Sequence, residues 1–171
     1  MKKNTIPTNN LFLELDDIED FKDLSKLSSR DIVIITTKYH QEINDSLIAD
    51  FITTIKSENM HYSVGILEVP GAFELVYAMK KVIDKFSPKL ILAVGCIIKG
   101  DTKHDEYLSN SIINNMHSIS HERMTPIING VLTTNNLDQA IERAGKKYRK
   151  GKEFALTSIE MLSLTESLDK Q

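Results

Sequence analysis

The sequence has a single cysteine, no tryptophan and only four prolines in 171 residues. Cys96 therefore has no partner for an internal disulfide, and its apolar surroundings indicate a small core residue in a reducing compartment. Basic residues are not in excess, since 21 lysines and arginines stand against 24 acidic residues and the formal net charge is −3. This balance gives no electrostatic reason to expect a nucleic acid as partner.

Long hydrophobic runs are also missing. The longest runs, such as residues 90–98, are too short to cross a bilayer, so we expect no membrane partner. The basic start Met1-Lys2-Lys3 is followed by polar residues rather than by the apolar core of a signal peptide. A cytoplasmic location is therefore the default expectation.

The chain divides into three parts. Residues 1–29 carry an acidic cluster and few apolar residues, so we expect an N-terminal arm that is partly disordered or packed on a neighbour. Residues 30–165 have the composition of one globular domain, and residues 166–171 are expected to form a C-terminal tail.

Strand-like and helix-like segments alternate along the middle part. Runs rich in β-branched or apolar residues predict strands over 32–37, 62–69, 90–98 and 126–132. Apolar residues at helical spacing predict helices over 42–58, 72–86, 106–121, 137–147 and 152–164. This alternation is typical of an α/β protein with a parallel sheet between helix layers. Ligands of such sheets bind beyond the carboxyl ends of the strands, in this chain at residues 38–40, 70–74, 99–104 and 133–136.

A glycine-polar turn after the third predicted strand is the most informative of these segments. A strand that ends in Gly100-Asp101-Thr102 before a helix leaves backbone N–H groups for a phosphate or another anion. The spacing from Gly95 resembles a P-loop, but Asp101 replaces the lysine that reaches nucleotide phosphates, which argues against ATP or GTP. His104 follows, and a histidine at the rim of such a site can move protons near neutral pH. Taken alone, an ordinary turn and a surface histidine fit these residues as well.

Two other segments offer binding groups. Gly71 permits close approach of a ligand, and Glu74 can accept hydrogen bonds from hydroxyls or amines. Tyr39 and His40 follow the first strand, where an aromatic ring can stack on a planar ligand. The alternatives are a first-turn glutamate that complements the helix dipole and a loop aromatic that only packs.

Histidines and basic residues form the remaining patterns. His117 and His121 lie four apart on a predicted helix, but no third ligand is evident, so we expect no metal. A basic cluster follows, which is either a solvated helix end or a site of anion capture; its members are Arg143, Lys146, Lys147, Arg149, Lys150 and Lys152.

Five motifs in fixed order distinguish between these interpretations. They are VPGAFEL at 69–75, GCIIKGDTKH at 95–104, PIINGVLTTN at 126–135, QAIERAG at 139–145 and SIEM at 158–161. Together they resemble the lumazine synthase family over residues 30–165. The resemblance implies a flavodoxin-like, three-layer α/β/α fold with a four-stranded parallel sheet. It also implies the condensation of 5-amino-6-(D-ribitylamino)uracil with 3,4-dihydroxy-2-butanone 4-phosphate, without metal or organic cofactor. The products are 6,7-dimethyl-8-ribityllumazine, phosphate and water, in riboflavin biosynthesis.

The resemblance further implies a role for each matching position. His104 is implied to transfer protons. The phosphate is implied to bind to Gly100, Asp101, Thr102 and Arg143. The pyrimidine and its ribityl chain are implied to bind to Tyr39, Ala72, Phe73, Glu74, Ile97, Ile98, Asn129 and Lys150.

The family's subunits form pentamers, in some cases sixty-subunit shells. Each active site lies between two subunits, with Arg143 implied to cross the boundary and riboflavin synthase a candidate partner. Four positions depart from the family pattern, which bears on substrate affinity and oligomer geometry. Asn129 and Asp105 stand where aromatic residues are usual, and His40 replaces an asparagine. The stretch at Lys150 is one residue short, so the assignment of Lys150 depends on the placement of that gap.

Two other classes of function were weighed against the enzyme. A non-catalytic pteridine or flavin binder is disfavoured because His104 and Arg143 are both present. A flavodoxin-like electron-transfer module is disfavoured because residues 37–40 lack the Ser/Thr-rich phosphate loop that follows the first strand of flavodoxins.

Overall fold

The computed structural model describes residues 30–58, 60 and 62–170. The expected arm, residues 1–29, lies outside the described residues. Strands and helices alternate as the sequence predicts. In chain order they are β1 Ile32–Thr37, α1 Gln41–Ser57, β2 Val64–Val69, α2 Glu74–Phe86, β3 Leu90–Ile98, α3 His104–Arg123, β4 Ile127–Thr134, α4 Leu137–Ala144 and α5 Lys150–Leu168.

The four strands form one parallel sheet in the order β2-β1-β3-β4. Ile32 of β1 pairs with Val64 on one side and with Leu90 on the other, and Ile91 pairs with Ile127 of β4. The chain reverses its winding direction between β1 and β3. In open α/β sheets the crevice outside the carboxyl ends of two such strands is where ligands bind.

Helices cover both faces of the sheet. On one face Ile32 and Ile34 belong to a core cluster with α1, α4 and α5, in which Phe51 is the largest fully buried side chain. On the other face Val33 and Ile35 belong to a cluster with α2 and α3. Successive residues of β1 thus alternate between two cores, because side chains of a strand point to opposite faces. The predicted three-layer, flavodoxin-like α/β/α fold is confirmed.

Cys96 lies in β3 and is 5% exposed. Burial raises the pKa of its thiol to about 11, so the thiol stays protonated at neutral pH. A buried, protonated thiol is a poor nucleophile, which confirms the expectation of a small core residue.

No helix in the described part of the chain is both long and apolar enough to span a membrane.

Several element boundaries differ from the expected ones. β4 continues to Thr134, because its last residues stay paired with the end of β3. α4 ends at Ala144, three residues early, because Gly145 leaves the helical conformation. α5 continues to Leu168, three residues into the segment expected to be a tail.

The start of α5 is fixed tightly on α1. A β-carbon at Gly151 would lie 2.2 Å from the carbonyl oxygen of Leu47, so only glycine allows the two helices to approach this closely. The Asp50 carboxylate accepts hydrogen bonds from the Arg149 guanidinium and from the Lys152 amide. Ser46 donates to the Ala144 carbonyl, 3.0 Å away, at the end of α4. α1 therefore holds the α4–α5 corner, which carries Arg143 and Lys150.

Candidate active site

Tyr39, Gly71 and Glu74 lie together at the carboxyl ends of β1 and β2. A β-carbon at Gly71 would lie 3.1 Å from Oε2 of Glu74 and 3.5 Å from the Tyr39 ring. Glu74 is the first residue of α2, where the helix dipole favours its negative charge. The Tyr39 side chain is 70% exposed and Phe73 is 71% exposed, so both rings are available to a ligand.

The turn between β3 and α3 begins with Gly100. The amide of His104, the first residue of α3, donates to Oγ1 of Thr102 at 3.3 Å. Within the described part of the chain, the amides of Asp101, Thr102 and Lys103 donate no hydrogen bond. Such amides at a helix N-terminus are donors for an anion.

Asp105 takes part in this turn in a way that the sequence does not reveal. Its Oδ1 lies 3.4 Å from the amide nitrogen of Gly100, so one donor of the turn faces a carboxylate of the same chain. The carboxylate places a negative charge beside the position expected for phosphate, which opposes a second anion there. In the sequence, Asp105 is notable only because an aromatic residue is usual at this position in the family that the chain resembles.

Arg143 lines a cavity of about 290 Å³ at the ends of β3 and β4, beside the β3–α3 turn. Ile97, Lys99 and Asp105 also line this cavity. The guanidinium donates to the Gln139 carbonyl at 3.1 Å, and its carbon lies 5.6 Å from the centre of the Tyr148 ring. These contacts hold the side chain while leaving most of its donors unused, since a guanidinium carries five N–H groups.

Salt bridges occupy three of the six cations in the basic cluster. Lys147 pairs with Glu142, Arg149 with Asp50, and Lys150 with Glu153. Arg143, Lys146 and Lys152 pair with no carboxylate among residues 30–58, 60 and 62–170. Of these three, only Arg143 lines the cavity at the ends of β3 and β4.

Asn129 and Lys150 belong neither to the Tyr39–Gly71–Glu74 group nor to the lining of the Arg143 cavity. Asn129 is exposed on the edge strand β4, where its Oδ1 accepts from the Val131 amide at 3.0 Å. Lys150 begins α5, and its ammonium lies 2.8 and 2.7 Å from the two carboxylate oxygens of Glu153.

The remaining site residues follow the strand ends. Ile97 is 8% exposed and Ile98 is partly buried at the end of β3, and Ala72 is partly buried before α2. His104 is exposed and is absent from the described lining of the Arg143 cavity. His117 and His121 are both exposed on α3. The described residues contain no group of three or more histidine, cysteine or carboxylate side chains that could hold a metal ion.

Four residues have contacts in this region that the sequence did not reveal. Gln139 and Tyr148 hold Arg143 from two sides, and Asp105 occupies a turn donor. Asn44 holds the β1–α1 turn through hydrogen bonds to the Thr37 and Tyr39 carbonyls. Of these, Asn44 carries a visible signal, since it is a polar residue within the apolar face of α1.

The parallel sheet, with polar turns gathered at its carboxyl edge, defines the class of α/β enzymes that bind small ligands at that edge. A model of the family described as 6,7-dimethyl-8-ribityllumazine synthase matches residues 29–166. The chain belongs to the 6,7-dimethyl-8-ribityllumazine synthase family.

Curated relatives agree with this assignment. A 6,7-dimethyl-8-ribityllumazine synthase from Campylobacter jejuni subsp. doylei is 39% identical over 147 residues, covering 82% of this chain and 93% of its own. One from Prochlorococcus marinus is 34% identical over 147 residues, covering 83% and 93%. Among solved structures, a GDP-L-fucose synthetase from Naegleria fowleri has 12% identity and a TM-score of 0.35, covering 83% of this chain and 47% of its own.

Family membership gives the reaction. The chain is an enzyme, a transferase of riboflavin biosynthesis. It condenses 5-amino-6-(D-ribitylamino)uracil with 3,4-dihydroxy-2-butanone 4-phosphate to give 6,7-dimethyl-8-ribityllumazine, as the sequence resemblance implies.

Proposed function

We propose that the carboxyl edge of the sheet is the active site of this condensation, with His104 as the residue that transfers protons. The observation that carries the proposal is the turn before α3. Three amides without partners among the described residues, those of residues 101–103, directly precede an exposed histidine. An anion held by these amides would lie beside the imidazole.

The condensation needs a phosphate site and a proton-transferring group side by side. The amine on the pyrimidine attacks the ketone, and the resulting carbinolamine loses water to give an imine. Loss of phosphate then requires a proton to leave a carbon atom. In ring closure the second nitrogen forms a C–N bond to the remaining carbonyl carbon and a second water leaves, which requires a further proton transfer. One histidine next to the phosphate can serve both steps, because an imidazole can both accept and donate a proton. Holding two small reactants together supplies much of the remaining rate enhancement.

The two substrates are assigned to different parts of the edge. Gly100, Asp101 and Thr102 hold the phosphate. Tyr39 stacks on the pyrimidine, and Glu74 accepts hydrogen bonds from the ribityl hydroxyls. Ala72, Phe73, Ile97 and Ile98 complete the walls. The position of Glu74 and Tyr39 beside Gly71 supports this division, since it places a hydroxyl acceptor and an aromatic ring near one another.

We further propose a homo-oligomer in which the neighbour supplies Arg143, Asn129 and Lys150. The lining of the Arg143 cavity does not include His104, and Arg143 pairs with no carboxylate of the described residues, which suits an arginine that serves the site of a neighbouring subunit. A groove of about 510 Å³ between α2 and α3 includes Phe73 and Tyr77, and Tyr77 is 69% exposed. Exposed aromatic rings beside a groove are typical of subunit interfaces. The oligomer is a pentamer or a sixty-subunit shell in the cytoplasm, with riboflavin synthase as a candidate partner and no cofactor.

Lumazine formation tests the site. Purified protein mixed with both substrates gives lumazine absorbance and fluorescence above the uncatalysed background. We expect His104→Ala to lower kcat about tenfold and to leave both KM values within twofold, because proximity persists without the base. His117→Ala, on the same helix, is the matched control and keeps full activity. An unchanged kcat in His104→Ala would remove the histidine from the mechanism.

The molar mass tests the assembly. Sedimentation of the wild-type chain should give the mass of five or of sixty chains. Tyr77→Lys places a charge in the α2–α3 groove and should shift the mass toward the monomer, whereas Lys85→Glu on the same helix should not. A monomeric wild-type chain with full activity would contradict the shared site.

A further inference from the structure

Asn44 is a polar residue in the middle of a buried helix face. Its neighbours on that face include Ile43, Leu47 and Phe51, and its side chain belongs to a residue that is only 1% exposed. A buried amide is unfavourable unless it forms hydrogen bonds, so its presence calls for a reason beyond packing.

The side-chain amide nitrogen of Asn44 donates hydrogen bonds to the β1–α1 turn. It lies 2.8 Å from the Thr37 carbonyl oxygen, 3.1 Å from the Thr37 hydroxyl and 3.0 Å from the Tyr39 carbonyl oxygen. Two N–H groups thus serve three acceptors, all of them within residues 37–39. The carbonyl oxygen Oδ1 of Asn44 is buried and accepts no hydrogen bond from the described residues. The NH2 group of the Asn44 side chain therefore makes its hydrogen bonds, whereas the buried carbonyl oxygen makes none, which costs free energy.

The β1–α1 turn contains an unfavourable backbone conformation, so hydrogen bonds from outside the turn are needed to hold it. His40, next to Tyr39, adopts a left-handed backbone conformation with φ 54° and ψ 45°, which is unfavourable for a residue other than glycine. Tyr39 is 70% exposed, so packing restrains its side chain little, although its ring lies beside Gly71. The hydrogen bonds of Asn44 to the Thr37 and Tyr39 carbonyls restrain the backbone that carries this ring.

We infer that Asn44 is a positioning residue, which fixes the Tyr39 backbone so that the ring stands ready to stack on the pyrimidine. The inference rests on the stacking role proposed for Tyr39. Asn44 itself touches no substrate, so its loss should raise the KM for the pyrimidine and leave the phosphate substrate and the chemical step unaffected.

Kinetics of four variants separate this role from a purely structural one. Tyr39→Ala should raise the KM for the pyrimidine by at least tenfold, and Asn44→Leu by three- to tenfold. In both, the KM for the phosphate substrate and kcat should stay within twofold. The double variant should match Tyr39→Ala alone, because a positioning residue has nothing left to position once the ring is gone. Thr54→Val is the control, since it removes another buried hydrogen bond of α1, from the Thr54 hydroxyl to the Asp50 carbonyl, without contacting the turn.

The outcomes distinguish the stacking role of Tyr39 from the positioning role of Asn44. If Tyr39→Ala leaves the pyrimidine KM unchanged, both the stacking role and this inference are wrong. If Tyr39→Ala raises it but Asn44→Leu does not, or if the two effects add fully, only the positioning role is wrong. Should Asn44→Leu fail to fold, Asn44→Thr takes its place, because a threonine hydroxyl can donate to its own helix but is too short to reach the turn.

A direct readout uses the absence of tryptophan from the chain. Tyr39→Trp introduces a single fluorophore at the turn. Time-resolved anisotropy should show a larger amplitude of local motion when Asn44→Leu is added and no change when Thr54→Val is added. Equal local motion in both double variants would overturn the inference whatever their activity.

Discussion

The carboxylate of Glu74 lies directly over Gly71: a β-carbon at residue 71 would stand 3.1 Å from Oε2 and 3.5 Å from the Tyr39 ring. A contact of 3.1 Å is shorter than the usual contact of such a carbon, so the carboxylate must shift by a few tenths of an ångström if one is added, whereas 3.5 Å from the ring is ordinary van der Waals contact. Position 71 therefore controls the geometry of the proposed Glu74 contact.

Gly71→Ala should raise the KM for the pyrimidine substrate about three- to tenfold, because the added methyl group displaces the Glu74 carboxylate. Steady-state lumazine formation at varied pyrimidine concentration measures this. Gly95→Ala is the control, since its β-carbon would meet the Thr37 and Leu75 side chains at 3.6 Å or more, which is ordinary van der Waals contact. Equal KM values in the wild type and Gly71→Ala would contradict the assignment of Glu74.

Asp105→Asn should lower the KM for the phosphate substrate about two- to fivefold. The substitution removes a negative charge beside the Gly100 amide while keeping the shape of the side chain. Like charges near a protein surface interact by roughly 1 kcal/mol, which corresponds to this factor. Glu106→Gln removes an exposed charge from the same first turn of α3 and should change the KM less. A KM that rises in Asp105→Asn would mean that the carboxylate organises the turn rather than opposing the phosphate.

Arg143→Ala should raise the KM for the phosphate substrate about ten- to a hundredfold, more than it changes the KM for the pyrimidine. A charged hydrogen bond to phosphate contributes about 1.5–3 kcal/mol. Lys146→Ala, an exposed cation three residues along the chain, is the control. An unchanged KM for the phosphate substrate in Arg143→Ala would refute the role of this arginine.

Asp31 should make the stability of the fold depend on acid pH. Burial alone would raise the pKa of this carboxyl, but hydrogen bonds from Ser63 and the Lys89 ammonium outweigh it and lower the pKa below its ordinary value. The Lys89 ammonium, 3.0 Å from Asp31, also pairs with Glu166 of α5 at 3.4 Å. A carboxyl whose pKa is lower in the folded state stabilises that state at every pH above its unfolded pKa of about 3.9. This stabilisation is lost as the pH falls through the pKa that the carboxyl has in the folded state.

Asp31→Asn should therefore be less stable than the wild type by about 1 kcal/mol at pH 7, and the difference should shrink toward zero below pH 3. Urea unfolding at pH 7, 5 and 3 measures it. Glu160→Gln, an exposed carboxylate elsewhere on α5, should show no such trend. A difference that stays constant over this pH range would mean that Asp31 stabilises the fold through packing alone.

Local chemistry explains why much of the fold follows from the sequence. β1 and β3 occupy the expected residues, because β-branched and apolar runs without polar interruption suit strands that are buried on both faces. Helix ends were less predictable. α4 ends early where Gly145 leaves the helix, and α5 runs on past residue 165, because contacts with other elements decide where terminal turns fray.

The sequence by itself determined the order of strands and helices, the parallel sheet and the residues that follow each strand, since these depend on spacing and on short turns. The contacts of those residues depended on the tertiary structure. Only folding brings Asp50 of α1 to the start of α5 and directs Asn44 at the turn that carries Tyr39. It also separates Arg143 from the paired cations around it. The physical reason is that a hydrogen bond or an ion pair is fixed by distances of about 3 Å, and such distances between segments far apart in the chain are set by packing.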